Sequence, residues 1–446
     1  MEILRTWKCL MDLRSNVTRS PANLRSLQDH LFRDAIIHAY SNVPFYRRVW
    51  DEAGVDVQAI RGIQDLDRIP IITAPLVRES AKRGELLARG VDSSSCTYLE
   101  TSGSSGAALR IWKRPLEERV RRAVGLRIWF EHGFRWRHHT VQFQIKPGPS
   151  HVLQRFGISR KTWISTERSI KDQLAQLLEA KADVVVGTAT ALRRIARASE
   201  AAQAALKRPR VVFCAGELVD AETRQLVTRV FGREPVGLYG QTEVGYIAWQ
   251  CEQRGTFHVN ADTHFVEVLR GGIPAHPGEL GTIVVTDLRA RTMPLIRYNT
   301  ADLAIAASGG CSCGRQLPLM GSIEGRERAS ILLGDGCLLT TRKILDHFAG
   351  TLRLGEYRLY QESLKKFRLE LTCHALVGHP KIKNVESDPH VHFTVLGHLR
   401  KLLGDIDLSI RVVKPWPSDG TGKTHAIFSG VNLTECSLND TTGTAS

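Results

Sequence analysis

The sequence predicts an α/β protein built on a mostly parallel sheet, followed by a strand-only portion and a small α+β unit. Three observations carry this. Apolar strand runs at 182–188, 210–217 and 234–243 are separated by helical stretches, the pattern of buried parallel strands joined by right-handed crossovers. After residue 260 the strands HFVEVLR, GTIVVTDL and LIRYNTADLAIA follow one another with no helix between them, which suggests a meander or small barrel. The glycine pair in MGSIEGRERA, 320–329, marks a turn into a unit that mixes both element types.

The elements follow in order. Residues 21–50 place Leu27, Leu31, Ala35, Ile36 and Ala39 at helical spacing, and NVPFY ends that run. Residues 51–95 alternate short helices and turns. TYLETSGSSGAALRIWKRP reads as strand, glycine-rich loop and strand, and 115–132 as a helix. Helices run from the end of ADVVVGT to about Leu206 and along AETRQLVTRVF. In the last unit RKILDHFAG and 395–403 read as helices, and YRLYQES, KKFRLELTCHA and LSIRVVKPW as strands. The tail 432–446 is small and polar and reads as disordered.

Composition narrows the function classes. At 446 residues the chain is long enough for about two to three domains. Hydrophobic residues at 42% and charged residues at 24% exclude disorder throughout. No stretch approaches a membrane-spanning length of apolar residues, and the N-terminus has no apolar leader core, so the protein is expected in the cytoplasm. The 61 basic and 46 acidic residues give a net charge of +15, read as dispersed surface charge. Within the densest basic run, 109–139, Arg119, Arg121, Arg122 and Arg127 do not form one helical stripe, and no nucleic-acid module accompanies them. Nine cysteines, an odd number, argue against a disulfide framework. Cys96, Cys214, Cys337 and Cys373 sit among apolar neighbours and read as small buried hydrophobes. His138, His139, His264 and His276 are given no role.

The chemistry concentrates in a few short segments. Thr101, Ser102, Gly103, Ser104, Ser105 and Gly106 form a loop whose backbone N–H groups and hydroxyls can wrap an anion, without the ending of a Walker loop. CAGE, with Gly216 and Glu217, and YGQTE, with Tyr239, Gly240, Gln241, Thr242 and Glu243, follow strands at the carboxyl ends where open sheets bind ligands. Asp302 in RYNTAD suits a pair of ribose hydroxyls. Arg326 stands at the turn into the last unit, and Lys423 lies in the glycine-rich TGKT. Cys251, His258, Cys311 and Cys313 offer four ligands for a closed, structural Zn²⁺ site, with glycines beside the C-x-C pair. Free cysteines in a loop are the alternative.

TSGSSG, YGQTE, RYNTADL, EGR and the late GK occur in the order found in adenylate-forming enzymes, the acyl-CoA synthetase superfamily. NVPFYRRVWDEAGVD, DLDRIPIITAPLVRES, GELGTIVVTDLRARTMPLIRYNTADL and CSCGR narrow the resemblance to the phenylacetate-CoA ligase family, over about residues 30–428. The resemblance implies a large N-terminal adenylation domain, 1–324, with parallel sheets and a distorted β-barrel, and a mobile α+β domain, 325–431. It implies an acid-thiol ligase that forms acyl-AMP from a small carboxylic acid and ATP with Mg²⁺, then a coenzyme A thioester. The glycine-rich loop would hold the β- and γ-phosphates. The adenine would lie against Gly216, Glu217 and Tyr239. Thr242 would meet the α-phosphate, Glu243 would help bind Mg²⁺, Asp302 would take the ribose with Arg326 nearby, and Lys423 would bridge carboxylate and α-phosphate.

The chain departs from the family where Ala107 and Ala108 replace Lys-Pro, where Ala301 replaces a glycine before the ribose aspartate, and where Glu327, Arg328 and Ala329 replace the hinge aspartate. The alanine at 301 is expected to matter little. Two alternatives stay open: acyl transfer to an amine, hydroxyl or carrier protein in polysaccharide or secondary-metabolite assembly, and a non-catalytic binding protein. A monomer and a homodimer are both compatible with the sequence.

Overall fold

The computed structural model describes residues 2–100, 109–146, 148, 154, 156–253, 255–351, 357–372, 389–413 and 427–431. The phosphate-loop residues Thr101, Ser102, Gly103, Ser104, Ser105 and Gly106, together with Ala107, Ala108, Cys373, Lys423 and the tail, lie outside them. The chain divides into two compact units, one of residues 1–135, 236–300 and 304–322, the other of residues 136–235, 301–303 and 323–446.

In the first unit the predicted helix over 21–50 is two helices, Pro21–Asn42 and Pro44–Glu52. Ser20 caps the first through its hydroxyl, and Pro44 starts the second, where a missing N–H costs nothing. An unforeseen helix, Glu2–Ser15, buries Leu10 and Leu13 and packs on the Pro115–Glu131 helix. His264–Arg270 and Leu280–Asp287 pair antiparallel, as the helix-free stretch after 260 suggested. Pro235–Gln241, Gly245–Gln250, Phe257–Val259 and Leu319–Met320 form successive antiparallel pairs. The strand run expected over 234–243 spans Pro235–Gln241, and the turn that ends it spans 242–244.

A buried ion pair holds this unit together. Arg127 and Asp262 are fully buried, with Nη1 and Oδ2 2.6 Å apart. Arg127 also donates to the Leu13 carbonyl at 2.9 Å and to Asn260 Oδ1 at 2.8 Å, and Asn16 donates to Asp262 Oδ2 at 2.9 Å. The Glu2–Ser15 helix, the Pro115–Glu131 helix and the 260–263 turn thus meet on one guanidinium.

In the second unit Lys161–Ser165, Thr140–Gln144, Val184–Gly187 and Val211–Ala215 lie side by side, all parallel. The helices Ile170–Ala180, Ala189–Ala201 and Ala221–Phe231 begin at side-chain caps from Ser169, Thr188 and Asp220 and share a core with the sheet. A four-stranded sheet follows. Tyr357–Gln361 pairs antiparallel with Lys366–Thr372, and these two are flanked by the parallel strands Ile427–Ser429 and Asp407–Val413. With the helices Thr341–Thr351 and Pro389–Leu403 it encloses its own core, around Phe348, Leu359, Phe367, Leu369 and Leu399. Of the cysteines read as buried, Cys214 is, while Cys96 and Cys337 are half-buried. His138 and His264 are buried.

Breaking a buried pair leaves a charge with no counter-ion. Arg127→Met is expected to lower stability by about 3–5 kcal/mol, and Arg127→Met with Asp262→Leu by much less. Urea unfolding of both variants measures this.

Candidate functional site

The YGQTE segment owes its shape to Gly240. A β-bulge between Tyr239 and Gly240 brings the backbone so close that a Cβ at 240 would overlap the Gly245 carbonyl oxygen. Tyr239 is buried, and its hydroxyl reaches Thr300 Oγ1 at 3.4 Å. Gln241 Nε2 donates to the Thr300 carbonyl at 3.0 Å. Thr242 is exposed and Glu243 half-buried, and neither side chain makes a hydrogen bond or ion pair among the described residues. They are available to a ligand.

Thr300 is placed from the other side by Arg297. This residue has φ of 48°, and its guanidinium is buried. It donates to Glu267 from Nε at 3.1 Å and Nη2 at 2.8 Å, and from Nη1 to the Leu66 carbonyl at 2.9 Å and to the Ile69 carbonyl. Its carbonyl accepts from Ile72 N, and Asn299 N donates back to the Ile72 carbonyl, each at 2.9 Å. Sequence reasoning missed Arg297. The signal was an arginine inside an otherwise apolar strand run.

In the second unit Asp302 lies 3.5 Å from Arg326 Nε, so the two residues singled out for the ribose meet as an ion pair. Gly325, before Arg326, has φ of 111°, and a Cβ there would stand 2.5 Å from the Thr341 Cβ. Glu217 is engaged within the protein. Its carboxylate accepts from Thr190 N at 2.7 Å and Thr190 Oγ1 at 3.2 Å, at the start of the Ala189–Ala201 helix. Gly216 beside it is exposed.

The Cys/His set comes together in the first unit, with donor atoms of Cys251, His258, Cys311 and Cys313 all within 4.8 Å of one another. Strand pairing explains this. His258 sits opposite Trp249 on one side and Leu319 on the other, so the turn just before Leu319 falls on the cysteine that ends the Gly245–Gln250 strand. Cys251 and Cys311 sulfurs are 3.5 Å apart, and Cys313 Sγ is 3.3 Å from His258 Nε2. These approach the edge of a tetrahedron with 2.3 Å Zn–S bonds, about 3.8 Å.

The electrostatics fit the same donor set. Burial, then the Arg315 guanidinium, push His258 down to about 4, which leaves a neutral imidazole. Burial pushes Cys251 up to about 11. Burial also acts upward on Cys313, but hydrogen bonds from Arg315 outweigh it and lower that thiol. The Arg315 guanidinium lies 5.1 Å over the Trp249 ring and 2.9 Å from Glu131.

Ala301 corrects an expectation. Its φ is 56°, a left-handed conformation that glycine adopts freely, so the alanine is strained there. Ala301→Gly is expected to raise stability by about 1 kcal/mol, read from denaturant midpoints.

No family model matches the chain. The phenylacetate-coenzyme A ligase of Thermus thermophilus is 25% identical over 418 residues, covering 87% of this chain and 92% of that protein. The phenylacetate-coenzyme A ligase of Escherichia coli is 25% identical over 337 residues, covering 71% and 74%. Among solved structures, a 2-hydroxyisobutyryl-CoA ligase in complex with 2-HIB-AMP superposes with a TM-score of 0.75 at 18% identity, covering 93% of this chain and 91% of that one. An anthranilate CoA ligase in complex with anthranoyl-AMP superposes with a TM-score of 0.56 at 13% identity, covering 80% and 76%. These structures share the fold of this chain.

Proposed function

The chain is a phenylacetate-CoA ligase-like member of the adenylate-forming superfamily, and from that premise we propose that it activates a carboxylic acid with ATP and passes the acyl group to coenzyme A. The acid's carboxylate displaces pyrophosphate from ATP to give acyl-AMP, and the thiol then displaces AMP. The observation that carries this is likeness over 92% of a phenylacetate-coenzyme A ligase. The ion pair of Asp302 with Arg326 supports it, since both residues occupy positions expected at the ribose.

In this reading the free side chains of Thr242 and Glu243 face the α-phosphate and Mg²⁺, and Asp302 accepts from the ribose hydroxyls. The loop Thr101–Gly106 holds the outer phosphates, and Lys423 meets the carboxylate and α-phosphate as the anhydride forms. Mg²⁺ supplies charge neutralisation on the phosphates. Tyr239 and Gly216 border the base, and Glu217, held on a helix N-terminus, shapes that border. Residues 325–431 form the mobile domain, a reading supported by the separate core of residues 331–427. Glu327, Arg328 and Ala329 lie in a short 3₁₀ turn at its start and serve as the hinge.

Cys251, His258, Cys311 and Cys313 hold one structural Zn²⁺. Four protein ligands leave no position for substrate, so the ion braces the strand ends. Protein purified without chelator is expected to carry about one zinc per chain, and chelation to lower the melting temperature and expose the thiols to alkylation. Zinc far below that level with all three thiols freely alkylated in the folded protein would exclude the site.

Acid-dependent ATP–pyrophosphate exchange tests the activity, and product formed without coenzyme A would point to another acceptor. Lys423→Ala is expected to slow adenylation about 10²–10³-fold, with a far smaller effect on thioester formation from preformed acyl-AMP. Equal losses in both steps would count against a lysine used only for the first. Asp302→Ala is expected to weaken ATP binding by about 1.5–3 kcal/mol per charged hydrogen bond lost, measured by calorimetry.

A further inference from the structure

A cavity of about 30 Å³ opens in the first unit between the end of the Arg110–Lys113 strand, the Pro115–Glu131 helix and the turn after Leu280–Asp287. Val244 and Tyr246 form one wall, so the cavity begins one residue after Glu243. Its wall is more apolar than polar, but charged side chains stand on it. Lys113, Arg121 and Arg289 face it with Glu117, Asp287 and His264.

Most of these groups already have partners. Arg121 makes two bonds to Glu118, at 2.6 and 2.7 Å. Glu117 accepts from Arg114 N at 2.7 Å, Thr292 N at 2.8 Å, Arg291 N and the Thr292 hydroxyl. Asp287 accepts from Arg289 N and Ala290 N, each at 2.9 Å. Burial keeps the His264 imidazole neutral by lowering its pKa, and its Nε2 lies 3.0 Å from the Val244 carbonyl.

Lys113 is the exception. The residue is 5% exposed, yet its ammonium makes no hydrogen bond or ion pair among the described residues. The ammonium lines the cavity, so an anion entering there can pair with it. Room for one or two water-sized groups suits a carboxylate and excludes an aromatic ring.

We propose that the acid activated by this chain carries a second carboxylate, which enters this cavity and pairs with Lys113. The assignment rests on the acid-activating function above. The reacting carboxylate meets the nucleotide at Thr242 and Glu243, and the distal one is received just beyond, past Val244. Arg289, whose Nε donates to the Asp262 carbonyl at 3.1 Å, adds a second cation to the lining. Lys113 is then a specificity-determining residue, reading the far end of the substrate.

The test is ATP–pyrophosphate exchange by the full chain with straight-chain dicarboxylic acids of increasing length, each beside its half-amide. At the optimal length kcat/KM for the dicarboxylate is expected to exceed that for the half-amide by about 10–100-fold. Lys113→Met is expected to erase that ratio, and Lys113→Arg to restore part of it. Exchange with half-amides as fast as with every dicarboxylate would overturn the inference and leave the ligase function standing. Exchange with no acid at all would remove the ligase reading. The pocket is then judged by melting temperature, where a rise with dicarboxylate in the parent but not in Lys113→Met sustains carboxylate binding, and no rise overturns it. An equal, Lys113-dependent rise with inorganic phosphate would make this a free-anion site and overturn the substrate assignment.

Discussion

The placement of the 298–305 strand depends on one arginine held in an unfavourable backbone conformation. A left-handed residue costs about 1–2 kcal/mol, whereas hydrogen bonds to a charged group contribute about 1.5–3 kcal/mol each. Arg297 makes two such bonds to Glu267 and two more to backbone carbonyls, so the bonding outweighs the strain. The strand start is fixed against Ile72, and Thr300 arrives where Tyr239 and Gln241 can reach it. Asp302 follows two residues later. Replacing Arg297 by lysine would keep the charge and lose the fork that makes these contacts together.

The charge excess of the chain has a second meaning once the interior is considered. A net charge of +15 reads most simply as solvated surface, yet Arg127, Arg297 and Lys113 are all nearly or fully buried. The two arginines answer to Asp262 and Glu267 at 2.6 and 2.8 Å, each inside a set of further hydrogen bonds. Lys113 has no such hydrogen bond or ion pair among the described residues. Sequence does not separate these cases: Arg127 and Arg297 are single basic residues in apolar runs, and Lys113 stands beside Arg114.

Much of the fold was legible from period and punctuation. The runs around Val184–Val186 and Val211–Cys214 are uninterrupted and apolar, and the helices after them start at Thr188 and Asp220, ordinary caps. The strands TVQFQ and KTWIS were harder, because glutamine, lysine and threonine break the apolar pattern that marks a buried strand. The helix Glu2–Ser15 was missed because its buried residues, Leu10 and Leu13, are few and Leu4 and Trp7 stay exposed. The four Cys and His residues that the fold brings within 4.8 Å of one another were named from residue type and neighbouring glycines. The cavity was not, because Lys113, Asp287 and Val244 lie in three distant segments with no motif to join them. The strain at Ala301 was likewise invisible, since side-chain identity alone does not report φ.

The cysteine and histidine cluster also bears on how the chain reaches its fold. Cys251 and Cys311 are 60 residues apart, and the antiparallel strands of 264–287 and the Arg297 turn lie wholly between them. At an elongation rate of 5–20 residues per second the second half of the donor set leaves the ribosome roughly 3–12 s after the first. A hairpin such as 264–287 closes in microseconds, so the intervening sheet has time to assemble before the cluster can be completed. With a metal bound, the cluster would act as a latch closed over the 264–287 strands. A metal captured early by Cys251 and His258 alone would be a two-ligand encounter that the nascent chain can still release.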